Sequence, residues 1–231
     1  MPAANDGTAD LQPDPKPGPY GQVKPAFELD RKVAPAFATR DPSQAAFWDE
    51  RFDLPFTPWE RHGVPQRLRE FVANAPARLA TFIPGCGSGH EVGFLADAGW
   101  DVCAIDFSVA AVAAAHAQLG PHAACVRHAD FFTWEPLQPL QLIYERAFLC
   151  ALPRAMWPQI ALRYAALLPR GAVLAGFFFY DSTLTGPPFG AAPGVLEDLL
   201  LPAFELIDDQ PVPDSIAAFA GRERWQVWRR R

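Results

Sequence analysis

From about residue 79 onward, two patterns of apolar residues alternate along the chain. Short continuous apolar runs, typical of strands buried on both faces, are separated by longer stretches with helical spacing. The seven predicted strands cover residues 79–83, 102–105, 124–127, 140–144, 172–180, 204–207 and 225–228. The predicted helices between them cover residues 90–98, 108–119, 154–168 and 195–201.

Strands that alternate with helices predict an α/β fold with a parallel sheet. We expect a Rossmann-like, doubly wound sheet of about seven strands, with helices on both faces. The last two strands are joined by a segment that contains PVPDSIAAFAGRE and has no helical spacing. They therefore predict an antiparallel pair at the C-terminal end of an otherwise mostly parallel sheet.

The first forty residues differ from the rest of the chain. Residues 1–40 are rich in proline, alanine and charge, and have no sustained period, which predicts a flexible N-terminal extension. Residues 41–231 are then a single domain, whose first part, 41–76, holds two further helices near 42–52 and 64–75. Asp41 is placed to cap the first of these helices, with Pro42 in its first turn.

Charge and composition narrow the possible partners. The chain has 26 acidic and 20 basic residues, a net charge of −6, so a nucleic acid or an anionic membrane is not an expected partner. No apolar run approaches the ~20 residues of a membrane span, and the N-terminus lacks the pattern of a signal peptide. Four scattered cysteines give no metal-ligand spacing. We expect a cytoplasmic monomer without a metal, acting on a small molecule.

A glycine-rich loop follows the first strand of the sheet. In IPGCGSGHEV, Gly85, Gly87 and Gly89 lie within five residues, just before a predicted helix. Glycines allow a tight turn and close contact between backbone and ligand, and the helix start offers free amides. Asp106 ends the next strand, where a carboxylate can accept hydrogen bonds from both hydroxyls of a ribose. The pattern predicts a ligand that contains a ribose and lies across this loop.

Two cofactors fit this loop, a dinucleotide and S-adenosylmethionine. The glycine spacing is G-x-G-x-G, without the third glycine of the dinucleotide fingerprint, and Glu91 at the helix start would repel a pyrophosphate. Asp130 follows the third strand beside Phe131 and Phe132, where a carboxylate and aromatic rings could bind an adenine. At this point three functions remain open: a methyltransferase, an NAD-dependent oxidoreductase, and a non-catalytic protein that binds S-adenosylmethionine or its product.

The motifs together resemble a known family. TPW at 57–59, IPGCGSGHEV, AIDFS, DFFTW and GPPF are similar to the thiopurine S-methyltransferase superfamily, and most similar to its thiol and halide methyltransferases from plants and bacteria. The resemblance covers residues 45–231. It implies a class I methyltransferase that uses S-adenosyl-L-methionine and transfers a methyl group to a small soft nucleophile. Such an acceptor would be a thiol, sulfide, halide or thiopurine-like thiol.

The resemblance also implies a set of cofactor-binding residues, with the helices of 41–76 covering the cofactor. They are Trp48, Phe52, Trp59, Gly85, Gly87, Asp106, Phe107, Asp130, Phe131 and Arg146. Arg146 matches an arginine in the thiopurine enzymes and a tyrosine in the plant halide and thiol enzymes.

Arg146 and Tyr180 are the candidate catalytic residues. Methyl transfer from a sulfonium is an in-line displacement, so the protein chiefly positions and desolvates the reactants. Arg146 is expected to supply positive charge that favours an ionised thiol, or to hold the cofactor carboxylate. Tyr180 ends the most strongly apolar strand and is expected to orient the acceptor. The stiff segment 185–189, TGPPF, is expected to form a lid beside the acceptor.

Overall fold

The computed structural model describes residues 35–60 and 63–231, and these form an α/β domain around a seven-stranded sheet. The strands are β1 Ala80–Pro84, β2 Asp101–Asp106, β3 Val126–His128, β4 Leu142–Arg146, β5 Val173–Phe179, β6 Phe204–Pro211 and β7 Glu223–Arg230. The helices are α1 Ala45–Asp53, α2 Gln66–Asn74, α3 His90–Asp97, α4 Val109–Leu119, α5 Trp157–Leu167 and α6 Val195–Leu200.

The strand order is β3-β2-β1-β4-β5-β7-β6. Strands β1 to β5 pair in parallel, whereas β7 pairs antiparallel with both β5 and β6. The predicted fold class, a mostly parallel sheet with antiparallel C-terminal strands and flanking helices, is confirmed.

Each central strand contributes side chains to two separate cores, because successive residues of a strand point to opposite faces. On β4, Ile143 belongs to the core that includes α5 and α6, and Leu142 to the core that includes α2, α3 and α4. Leu174 and Ala175 of β5 divide in the same way. This two-sided burial explains why the strands are continuous apolar runs in the sequence.

Two local predictions were wrong. The predicted strand at 124–127 begins later, at Val126, because a 3₁₀ helix, Gly120–Cys125, precedes it. Asp41 does not cap a helix: α1 begins at Ala45, and the Asp41 carboxylate instead accepts a hydrogen bond of 2.9 Å from the Ser43 amide. That bond closes a turn before the helix.

Residues 35–40, which the sequence assigns to the extension, pack against α1. The amides of Ala38 and Thr39 donate to the Glu50 carboxylate at 2.6 and 2.9 Å. The ring of Phe37 lies 5.4 Å from that of Phe56. The remainder of the predicted extension, residues 1–34, lies outside the described residues.

Candidate functional site

A cavity of about 780 Å³ opens at the carboxyl ends of β1, β2 and β4. Its volume lies within the range of about 300–1,000 Å³ typical of small-molecule sites. Strand β1 lies between β2 and β4, so the cavity is at the switch point of the sheet, where α/β folds bind ligands. All ten predicted cofactor-binding residues line it: Trp48, Phe52, Trp59, Gly85, Gly87, Asp106, Phe107, Asp130, Phe131 and Arg146.

The glycine loop forms the floor of the cavity beside β1. Gly85 has φ of 58°, and a side chain on it would bring a Cβ to 2.6 Å from the ring of Phe148. Only glycine satisfies both conditions. The next amides are fixed by carboxylates, since Gly87 donates to Asp106 at 3.0 Å and Ser88 donates to Glu60 at 3.0 Å. The loop is therefore fixed by side chains from two other segments.

Asp106 is 7% exposed and already oriented for a ligand. One carboxylate oxygen accepts from the Gly87 amide at 3.0 Å, and the other from the Ser108 amide at 2.9 Å. A carboxylate has about four acceptor positions in all, so room remains for a ligand hydroxyl. Burial raises the pKa of Asp106 to about 6, against the lowering effect of the amides of Ser108, Gly87 and Phe107. The group is thus mostly ionised at neutral pH, and close enough to titration to respond to mild acid.

Three aromatic side chains from the N-terminal segment cover one side of the cavity. The rings of Trp48 and Trp59 are 5.3 Å apart, and those of Phe52 and Trp59 are 6.2 Å apart, both edge to face. The Trp48 indole is anchored by its hydrogen bond to the Pro42 carbonyl at 2.8 Å. Aromatic faces of this kind attract a cation such as a sulfonium.

Helix α1 is attached to the sheet through Asp49. Its carboxylate accepts from the Ser108 hydroxyl at 2.7 Å and from the Ala110 amide at 3.1 Å. Ser108 in turn caps α4 by accepting from the Ala111 amide. The same few residues therefore place the aromatic cover, the start of α4 and Asp106.

Asp130 and Phe131 lie on the far side of the cavity. One Asp130 oxygen accepts from the Phe132 amide at 2.8 Å, which fixes the turn after β3. The Phe131 ring is buried, 4.8 Å from that of Phe148. A carboxylate at the rim and a buried ring beneath it suit a flat, nitrogen-bearing ring.

The end of β4 carries the most unusual polar groups of the site. The Arg146 Nε lies 3.4 Å from a Glu91 oxygen, and its guanidinium lies 4.7 Å from the Phe177 ring centre. Among the described residues, the Arg146 Nη2 and the fully buried Tyr144 hydroxyl have no hydrogen bond of good geometry, although the two side chains are close enough to interact with each other. Burial raises the pKa of Tyr144 well above 10, so its hydroxyl stays protonated. Both residues line the cavity and are donors that a ligand could satisfy.

Glu145 points away from the cavity and fixes the loop after β4. Its Oε1 accepts from the amides of Phe148 and Leu149 at 2.9 and 3.1 Å, and its Oε2 accepts from the Tyr164 hydroxyl at 2.5 Å. Complete burial raises the pKa of Glu145 to about 7. Through Phe148, this buried pair sets the shape of the cavity beside Gly85.

Tyr180 does not line the cavity, contrary to the prediction. Its hydroxyl instead accepts a hydrogen bond from the side-chain Nε2 of Gln226 at 2.9 Å. The reason is the alternation at the end of β5: Phe179 packs with Cys150 and Phe219 beside the cavity, so Tyr180 faces the opposite core. Tyr180 therefore packs behind the cavity, outside its lining as formed by the described residues.

Two residues of the site were missed in the sequence. Glu60 directly follows the TPW motif and holds the glycine loop, and Tyr144 directly precedes Glu145 on β4. A carboxylate next to a motif tryptophan was a usable signal. A tyrosine within an apolar strand was not, because it has the pattern of a core residue.

Comparisons with known proteins agree with this geometry. The family model described as thiopurine S-methyltransferase matches residues 43–231. The chain is 27% identical over 190 residues to thiocyanate methyltransferase 1 of Arabidopsis thaliana, covering 79% of this chain and 84% of that one. It is 28% identical over 173 residues to thiopurine S-methyltransferase of Shewanella piezotolerans, covering 64% of this chain and 78% of that one.

Solved structures show the same fold. N-methyltransferase NodS of Bradyrhizobium japonicum, crystallised with S-adenosyl-L-homocysteine, has a TM-score of 0.59 at 15% identity and covers 88% of this chain and 97% of its own. The oxidoreductase and the non-catalytic binding protein, which the sequence left open, are therefore set aside. The chain belongs to the thiopurine S-methyltransferase family and is an S-adenosylmethionine-dependent methyltransferase.

Proposed function

We propose that this enzyme methylates small thiols, which it binds as thiolates beside Arg146. The observation that carries the proposal is the buried Arg146 guanidinium beside the Tyr144 hydroxyl, where neither the Arg146 Nη2 nor that hydroxyl has a hydrogen bond of good geometry among the described residues. Buried donors without partners cost free energy, which an anionic ligand would recover. A thiolate in a largely apolar cavity would be desolvated, and so more reactive, while facing the Arg146 guanidinium, which stabilises its charge.

The other lining residues support a matching position for the cofactor. The free acceptor positions of Asp106 suit the ribose hydroxyls, Asp130 and Phe131 suit the adenine, and the Glu60 carboxylate beside the glycine loop suits the ammonium of the amino-acid part. When bound, S-adenosylmethionine supplies an electrophilic methyl group on a sulfonium.

The residues of the chain then have three tasks. Trp48 and Trp59 cover the cavity and exclude water. The positive charge of Arg146 stabilises the thiolate form of the acceptor. A thiol with an ordinary pKa near 8.5 therefore ionises at a lower pH. No general base is needed, because the proton is lost to solvent before the carbon–sulfur bond forms.

The acceptors of the relatives support a soft nucleophile. One group of relatives is named for thiocyanate or thiol and another for thiopurine, so a sulfur acceptor is common to both. Arg146 and Tyr144 together would serve any of these anions. These acceptors differ from one another in size.

The test is formation of S-adenosylhomocysteine with a panel of acceptors: bisulfide, a small alkyl thiol, thiophenol, a thiopurine, thiocyanate and iodide. We expect turnover with the thiols, and an Arg146→Met variant whose pH–rate curve with an alkyl thiol shifts to higher pH. Arg127→Met, an exposed arginine of β3, is the matched control. Turnover with iodide or thiocyanate alone, or an unshifted curve in Arg146→Met, would contradict the thiolate proposal.

We also propose that the enzyme works as a monomer in the cytoplasm. All four cysteines are free thiols, which suits a reducing compartment. Within residues 35–60 and 63–231, the helices are too short or too polar to span a membrane. Light scattering at working concentration tests the monomer, and localisation of a tagged full-length chain tests the compartment.

A further inference from the structure

Three separate segments outside the glycine loop contribute to the lining of the cavity. One follows β4 and includes Cys150, Ala151 and Met156, a second follows β5 and includes 186–188, and the third is the β6–β7 connection at 218–219. We call the part of the cavity that they line the acceptor end. Apart from a bridge between Tyr180 and Ala191 at the base of the second segment, the three segments lie outside the paired strands, so their mutual spacing depends on other contacts.

Arg154 joins the first segment to the second. Its Nε donates to the carbonyl of Gly190 at 2.8 Å, and its Nη2 donates to the carbonyls of Thr183 and Gly190 at 2.6 and 2.5 Å. The guanidinium also lies 5.9 Å from the Phe189 ring centre. A single side chain thus holds both ends of the segment that contains Gly186, Pro187 and Pro188.

The contacts around this segment show what Arg154 controls. Gly190 is buried, so its carbonyl needs a partner within the protein, and Arg154 provides it. The start of the segment is fixed independently by an ion pair between Asp181 and Arg222. From the middle of the segment, the Phe189 amide donates to the Cys150 carbonyl of the first segment at 2.6 Å. The far end is held to β5 by backbone bonds, since the Ala191 amide donates to the Phe179 carbonyl at 2.9 Å and the Asp181 amide donates to the Ala191 carbonyl at 3.0 Å. Arg154 therefore adds a side-chain link from the first segment to a loop that is anchored by backbone bonds at its base.

We infer that Arg154 is a positioning residue that sets the width of the acceptor end and thereby selects acceptors by size. The inference rests on the proposed acceptor end of the cavity. Arg154 does not line the cavity, so it acts through the segment it holds and not by contact with a substrate. Loss of its three hydrogen bonds would let 183–190 move outward, and the wall of the acceptor end with it.

The test compares Arg154→Met, Arg154→Lys and the matched control Arg230→Met. Arg230 also donates to backbone carbonyls, those of Ala165 and Ala203 at 2.9 and 3.1 Å, but far from the acceptor end. For Arg154→Met we expect the KM of a small alkyl thiol to rise at least fivefold and that of thiophenol to change less. The KM of S-adenosylmethionine should stay within twofold, and Arg154→Lys should recover part of the loss.

A second measurement needs no turnover. Hydrogen exchange followed by mass spectrometry should show the Phe189 amide exchanging at least tenfold faster in Arg154→Met, and unchanged in Arg230→Met. An unchanged exchange rate at 183–190 would overturn the inference. So would equal rises in both KM values, because that pattern indicates a general loss of structure. If the wild-type enzyme turns over no acceptor, the proposed function fails, while the exchange result still decides the role of Arg154.

Discussion

Three carboxylates show how single residues of one type acquire different tasks around this cavity. Asp106 and Glu145 are buried, which raises their pKa values to about 6 and about 7. Glu50 is at the surface, where hydrogen bonds from Thr39 and Ala38 lower its pKa to about 2. The first is arranged for a ligand, the second holds a loop, and the third fixes the segment before α1. Burial and donor number, and not residue type, decide among these tasks.

Glu145→Gln should make the protein more stable at pH 8 and remove part of its pH dependence. A carboxyl whose pKa is raised by folding binds protons more tightly in the folded state, so its ionisation weakens stability as pH rises from about 4.5 to about 7. The cost reaches about 3 kcal/mol at most, at about 1.4 kcal/mol per tenfold change in proton affinity. Glutamine keeps an acceptor for the Phe148 and Leu149 amides and carries no charge.

The measurement is thermal or urea unfolding of both proteins between pH 5 and pH 8. Wild type should lose stability relative to Glu145→Gln as pH rises through this window. Tyr164→Phe serves as a comparison, since it removes only the hydroxyl that donates to Glu145. Parallel stability curves for wild type and Glu145→Gln would show that Glu145 does not titrate in the folded protein.

At the scale of elements, the N-terminal helix depends on polar contacts as much as on its apolar face. Asp49 joins α1 to the start of α4, and Glu50 binds the segment before the helix. Its aromatic residues then face the cavity together with Trp59. The position of the helix is thus fixed from its middle, by adjacent carboxylates that bind two different segments.

Trp59→Ala should raise the KM of S-adenosylmethionine at least fivefold and leave the fold intact. Trp59 is only partly buried and contacts the rings of Trp48 and Phe52 over the cavity. Removing it opens the cover, whereas removing the buried Trp100, between α3 and β2, should chiefly lower the melting temperature. The comparison uses initial rates and melting curves. Normal cofactor kinetics with a lowered melting temperature in Trp59→Ala would place Trp59 in the core instead.

Deleting residues 1–34 should preserve cooperative unfolding and cofactor affinity, because the named lining residues of the cavity, from Phe37 to Phe219, are all retained. Deleting 1–40 should weaken cofactor binding at least threefold, since it removes the Thr39 bonds to Glu50 and takes Phe37 and Arg40 away from the cavity. Titration calorimetry with S-adenosylhomocysteine measures the affinity of each shortened protein. Equal affinities for the two shortened proteins would show that 35–40 do not support the cover.

For the molecule as a whole, the sequence predicts those features that local patterns determine. Apolar runs locate the central strands within one or two residues, because both faces of these strands are buried. The glycine loop and Asp106 are predictable because parallel strands bring their carboxyl ends to one edge. The orientation of Tyr180 was predicted wrongly, since it depends on the exact end of β5 and on the partner strand β7.

The remaining site residues depend on tertiary contacts that no local pattern encodes. Glu60 meets Ser88 from 28 positions away, and Arg154 meets Gly190 from 36. Glu145 has the pattern of an ordinary strand-end acid until Tyr164 of α5 is placed beside it. Such residues become visible only when separate segments are brought together by the sheet.

The proposed position of the cofactor is tested most directly by calorimetry, which gives the dissociation constant of S-adenosylhomocysteine for wild type, Asp106→Ala and Asp101→Ala. Asp101 begins the same strand that Asp106 ends and is exposed, so it is the matched control. Hydrogen bonds to a charged acceptor contribute about 1.5–3 kcal/mol each, so Asp106→Ala should bind at least tenfold more weakly, and Asp101→Ala like wild type.

Wild-type affinity should also fall as pH is lowered through about 6, because protonated Asp106 can no longer accept from both ribose hydroxyls. Melting curves of each variant establish that it is folded. If Asp106→Ala is folded and binds as tightly as wild type, the ribose does not lie at Asp106, and the position proposed here for the cofactor is wrong.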